Sequence, residues 1–123
     1  MSYIQINIGG KDRGLKFNQL SLEVYTKHID YQNALATSTI YATFYAGLIA
    51  NCYVKKEEPD FTFEDVTNWV DEIYEEGRKD EIRKVCDMWE EVYVYKEWMK
   101  EFQDKVHAIL NPDNPKKKVK KVK

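Results

Sequence analysis

Two histidines, two cysteines and a dense run of carboxylates are the first residues to weigh for chemistry. His28 and His107 stand near opposite ends of the chain. Neither the HxxxH nor the HExxH spacing, which sets two imidazoles on one helical face for zinc, is present. Both read as structural histidines. Cys52 and Cys86 lack the CxxC spacing of redox or zinc sites, and each falls among apolar residues. A thiol in such a place packs as a small hydrophobe and is a poor nucleophile. The acids between residues 57 and 91 recur on the outer faces of helices, which is a solvated pattern and not a catalytic carboxylate pair. No window offers the alternating Asp/Asn, central Gly and terminal Glu of a calcium loop. Gly9-Gly10-Lys11 is not GxxxxGK[ST] and belongs to a tight hairpin, which argues against a phosphate loop. No catalytic constellation emerges. The expectation is a non-enzymatic binding or assembly protein with no metal, cofactor or small-molecule substrate.

The 123 residues suffice for one domain and are too few for two ordinary ones. Aromatic residues make up 14%, hydrophobic residues 43% and charged residues 33%, which excludes a disordered or low-complexity chain. Two cysteines and the absence of a basic-then-apolar leader after Met1 point to reduced thiols in a cytoplasm.

Charge is unevenly distributed. Residues 1–56 carry six Lys/Arg against three Asp/Glu, and residues 57–110 carry seven against seventeen. Residues 111–123 carry six Lys against Asp113. The body is acidic and a poor surface for polyanions, so nucleic acid is not an expected partner of it. Only the tail could serve that role. Tyr31 to Val54 holds no charged residue, a length that could span a bilayer. Its polar residues, among them Gln32, Asn33, Thr43 and Asn51, favour a covered central helix over a membrane span.

The elements that must position these residues follow from periodicity. Ile4, Ile6 and Ile8 alternate with polar residues as in a half-buried strand. Gly9-Gly10 and the polar Lys11-Asp12-Arg13-Gly14 read as the turn, after which Leu15 and Phe17 resume the alternation. Asn18 or Ser21 can cap a first helix to about His28, with Leu20, Val24 and Tyr25 inward. A second helix runs from about Asn33 to Lys55 and ends before Pro59. Thr62 and Asp65 form a capping box for a third, with Phe61 and Val66 as staple and Gly77 as C-terminal cap. Val66, Trp69, Val70, Ile73 and Tyr74 share one face of that third helix.

The fourth helix, Asp80 to about Leu110, changes face. Ile82, Val85, Cys86, Trp89, Val92 and Tyr93 form one stripe. Tyr95, Trp98, Met99, Phe102, Val106 and Ile109 form another, rotated by roughly 120°. A kink, a break in the β-prone Val92-Tyr93-Val94-Tyr95, or docking on a different surface would each account for the shift. The expected fold is α+β and mostly α: one domain, residues 1–110, with a hairpin (1–18) packed on about four helices (19–110), followed by a flexible Lys-rich tail (111–123).

The opening Ile6-Asn7-Ile8-Gly9-Gly10-Lys11-Asp12-Arg13-Gly14-Leu15-Lys16-Phe17-Asn18, followed at once by an amphipathic helix, resembles the tail assembly chaperones of long-tailed phages and prophages. The specific similarity covers about the first 30 residues; beyond that the match is one of size, helical content and acidic character. The resemblance implies a non-enzymatic protein of the bacterial host cytoplasm that binds the tape-measure and tail-tube proteins during assembly and is absent from finished virions. Many members also have a longer form made by ribosomal frameshifting, and the lysine-rich end is the kind of peptide that A-rich slippery codons encode. A head–tail connector or other virion structural protein, or a small protein-binding adaptor, would share the same composition.

Tyr95, Trp98, Met99 and Phe102 are the candidate partner-binding residues, because aromatic and Met side chains are favoured interface anchors. Either the hairpin's isoleucine face or the first helix covers them within the monomer, or they dock a second copy, the tape-measure protein or the tube protein.

Overall fold

The computed structural model describes residues 2–29 and 36–110, with only the backbone for 36–38. The isoleucine alternation yields β1 (Tyr3–Ile8), which pairs antiparallel with β2 (Lys11–Lys16) in a register running from Ile8 opposite Lys11 to Tyr3 opposite Lys16. Ile6, Ile8, Leu15 and Phe17 are buried. The turn is Gly9-Gly10 alone, both at positive φ (65° and 85°), as a two-residue hairpin loop of the right twist requires. Lys11–Gly14, expected in the turn, are strand residues, because two glycines suffice to reverse the chain.

Asn18 caps α1 (Gln19–His28): the Ser21 amide donates to its side chain, and Ser21 Oγ accepts the Asn18 amide in return. This start sets Ser21 and Tyr25, one turn apart, into the core. Val24 is partly buried against the core, whereas Leu20, expected inward, remains half-buried outside it. The uncharged stretch forms α2 (Ala36–Lys55), buried on several sides by Ala42, Thr43, Phe44, Ala46, Leu48, Ala50 and Asn51. Its expected beginning at Asn33 lies outside the described residues. A Cβ added at Gly47 would come within 2.8–3.0 Å of Phe17 and Leu15, so the hairpin reaches α2 at the one position without a side chain.

The Thr62–Asp65 capping box starts α3 (Phe63–Glu75), which buries Val66, Val70 and Ile73. Phe61 is buried too, Trp69 is half-buried, and Tyr74 is exposed. Gly77, at φ 77°, ends the helix: its amide donates to the Tyr74 carbonyl and that of Arg78 to Ile73.

The expected fourth helix is two helices, α4 (Lys79–Glu91) and α5 (Tyr93–Leu110), so the body has five among the described residues. Val92 is extended (φ −72°, ψ 137°). Its amide still donates to the Trp89 carbonyl, and its own carbonyl accepts from the Lys96 amide as the first acceptor of α5. Among the described residues no helix is long and apolar enough to cross a membrane. The tail, 111–123, lies outside the described residues.

Candidate functional site

The extended Val92 resets the direction in which the following side chains point, so Ile82, Val85 and Trp89 of the first stripe and Tyr95 and Trp98 of the second all turn toward the body. Tyr93 and Ile109, expected in those stripes, are exposed, because the reset carries them to the outer side and the far end of α5. Val85 and Trp89 of α4 are fully buried. From α5, Tyr95 packs on Trp89 at 5.1 Å between ring centroids and on Tyr25 at 6.1 Å. Trp98 meets the Tyr25 ring edge-on at 5.6 Å and stacks on Phe102 at 5.3 Å. Tyr25 also touches Trp89 at 5.2 Å, and Phe17 joins from the hairpin side at 5.3 Å from Trp89. Such tilted and edge-on pairs each contribute about 0.5–1.5 kcal/mol beyond area burial. Trp89 Nε1 is buried without a well-aligned hydrogen bond, with the Tyr25 hydroxyl close enough for the indole N–H to favour the ionised tyrosine slightly against the larger effect of burial.

α5 is therefore held by α1 and α4, not by the hairpin: Ile6 and Ile8 belong to the core cluster, with β1 packed on α3. Yet α5 buries none of its residues completely. Between it and the rest of the body runs a groove of about 530 Å³. Tyr95, Trp98, Met99 and Phe102, the four candidate residues, all line it, together with Tyr25 of α1, Ile29 just past its end, Ile40 of α2, and Ile82 and Cys86 of α4. Lys79 and Arg83 edge the groove near the start of α4, and Asp87 and Glu90 near its end. The volume suits an apolar side-chain cluster or a drug-sized body.

Burial pushes the Tyr25 and Tyr95 hydroxyls up, with the Tyr25–Tyr95 proximity adding to the first. Burial also pushes the Cys86 thiol up to about 11. These three groups stay neutral through the physiological range and give the groove wall weak polarity. The arrangement can receive an apolar surface.

Of the other residues weighed for chemistry, His28 is held by packing. His28 Nδ1 donates to the Val24 carbonyl at 2.9 Å, and its ring lies between Phe63 (4.7 Å) and Tyr45 (4.8 Å). His107 is exposed on α5. Cys52 and Cys86 are free thiols, both half-buried. Among the described residues no cluster of three His, Cys, Asp or Glu could hold a metal ion. In the Gly9-Gly10 turn, Gly9 lies against Trp69, where an added Cβ would sit 2.6–2.7 Å from the ring, while Gly10 is open to solvent.

Arg13 is the residue that sequence reasoning placed in a turn and overlooked. Its side chain is only 11% exposed. Nε donates to the Ile8 carbonyl at 2.9 Å and Nη1 to Asp60 Oδ1 at 2.8 Å. The guanidinium lies over the Trp69 ring at 4.5 Å and the Phe61 ring at 5.6 Å. Lys11 Nζ reaches the other Asp60 oxygen at 3.5 Å. These contacts lock the hairpin to the entry of α3. On the far side, Arg78 donates to the Asn7 carbonyl at 2.6 Å while pairing with Glu76 and both Glu81 oxygens, a second clasp between β1 and the α3–α4 junction. Both cations are spent on structure.

Comparisons with protein families, with curated proteins and with solved structures find no match for this chain.

Proposed function

We propose that the chain is a non-enzymatic tail assembly chaperone of a long-tailed phage or prophage, acting in the bacterial host cytoplasm. In this reading it shields apolar segments of the tape-measure and tail-tube proteins until they assemble. The observation that carries the reading is the groove beside α5, whose wall is made by Tyr95, Trp98, Met99 and Phe102 with Tyr25 opposite. A concave, aromatic-rich floor with charged residues at its edges suits an amphipathic protein segment. The hairpin opening Ile6–Asn18 supplies the family-level resemblance.

Co-expression of the chain with the tape-measure and tube proteins encoded beside it tests the reading. Co-purification that is lost in Trp98→Ala/Phe102→Ala, with the fold retained, is the expected result. Failure of both proteins to co-purify with the intact chain would refute it. Stoichiometric recovery of the chain from mature particles would instead mark it as a virion structural protein.

A further inference from the structure

The α4 edge of the groove carries its charges in order. Lys79, Arg83, Asp87 and Glu90 recur every three or four positions and are all exposed, two bases followed by two acids. None of the four is ion-paired among the described residues, and Arg83 and Asp87, one turn apart, do not pair with each other. The order does not serve α4 itself, whose last turn holds acids and no base where the helix dipole favours cations. The acidic end is felt inside the groove: after burial, the Glu90 charge is among the causes that raise the Tyr25, Tyr95 and Cys86 side chains.

The groove walls are built by helices, whose backbone groups are already bonded along the helix. An extended peptide laid between them would leave its own N–H and C=O groups unpaired, whereas a helix brings its bonds with it. We propose that the groove takes a three-turn amphipathic helix of a partner protein, with carboxylates at the end over Lys79 and Arg83 and basic side chains at the end over Asp87 and Glu90. From Lys79 to Glu90 the α4 edge is about 16 Å long, three turns of any helix lying alongside it. Such a helix, about 10 Å across, has more volume than the groove's 530 Å³, so it lays one face in and keeps the other in water. Its turns recur at the same pitch as those of α4, so each of the four charges meets a turn of the partner. A uniformly acidic or uniformly basic helix meets like charge at one end and is disfavoured. Recognition of this kind rests on the groove being a partner site, and not on which protein is bound.

Fluorescence anisotropy of three labelled synthetic peptides, titrated with the full chain, is the test. All three share one leucine stripe; one carries Glu in its first half and Lys in its second, one Glu throughout, and one Lys throughout. The expected result is about tenfold tighter binding of the segregated peptide than of either uniform one, with helical circular dichroism gained on binding. Asp87→Lys/Glu90→Lys turns the preference to the all-Glu peptide, and Lys79→Glu/Arg83→Glu turns it to the all-Lys peptide. All four sites are exposed, so either pair stays informative if the other does not fold. Failure of every peptide to bind, one order of preference in wild type and both variants, or a bound peptide that stays unstructured would each overturn the proposal. So would a free chain that sediments as a dimer and releases its second copy when peptide is added. Co-purification of the tail proteins beside indifference to peptide charge removes the charge-ordered helix and leaves the partner-site reading standing. The ordered preference without recovery of either tail protein refutes only the tail-chaperone reading.

Discussion

Tyr25 of α1 and Trp98 of α5 meet edge to face, 5.6 Å apart with ring planes at 87°. This pair, with Tyr95 beside it, ties the last helix to a part of the chain seventy residues earlier. Because Trp98 is half-buried, Trp98→Ala is expected to cost about 1–3 kcal/mol, less than the 3–5 typical of a fully buried aromatic. Urea unfolding followed by circular dichroism measures it. A loss as large as that of Trp89→Ala would place α5 in the core proper.

Gly47 carries a packing requirement rather than a helical one. In an exposed helix Gly→Ala would stabilise by roughly 1 kcal/mol. Here the added methyl meets Leu15 Cβ at 2.9 Å, an atom anchored to the β2 backbone. Gly47→Ala is expected to destabilise by about 1–2 kcal/mol net. An unchanged or raised midpoint in chemical denaturation would show that the hairpin can shift away.

Asp60 gives the acid limb of stability a specific component. Its hydrogen bond from Arg13, with the charges of Arg13 and Lys11, holds its carboxyl below the usual range. A carboxylate depressed in the folded state contributes stability that is present above its ordinary pKa and lost as pH falls through the depressed one. The stability difference between wild type and Asp60→Asn is therefore expected to be full at pH 7 and to shrink below about pH 4. Thermal melts of both proteins between pH 2.5 and 7 would reveal a constant difference if the pair were inert.

The two thiols differ in accessibility to reagents. Burial raises both, Cys86 to about 11 in the groove wall, while Cys52 sits at the rim of a polar cleft with Lys11, Arg13 and Asp60. At pH 8 a disulfide reagent is expected to label Cys52 first and Cys86 slowly, in proportion to its small thiolate fraction. Stopped-flow labelling of the Cys52→Ser and Cys86→Ser variants separates the two rates.

Local rules made much of the architecture legible. Ile4, Ile6 and Ile8 announce a strand by period two, Thr62 and Asp65 announce a helix start by their hydrogen-bonding reach, and Gly77 announces its end. The break at Val92 was legible only as one of three accounts of the shifted stripe, alongside a kink and docking on a different surface. Val-Tyr-Val-Tyr favours extended backbone while its neighbours favour helix, and what tips the balance is the ring cluster of Tyr25, Trp89 and Tyr95, which only the folded chain brings together. The candidate face was visible as a stripe for the same reason that the groove was not. A stripe is a property of one helix, whereas a groove needs the opposing Tyr25 and Ile82. Arg13 was missed because its partners, Asp60 and Trp69, lie far along the chain and no spacing rule links them.

No residue of α5 is completely buried, and that has an energetic consequence. Detaching residues 93–110 uncovers Tyr25 and Trp89 but leaves the packing of α2, α3 and the hairpin in place, so the cost is a fraction of global unfolding. The amides of α5 are thus free to exchange with solvent through a private fluctuation, while those of α2 and the hairpin wait for the whole domain to open. In a native-state hydrogen-exchange experiment the chain would behave as two cooperative units joined at Val92, and anything that settles on α5 would slow only the smaller one.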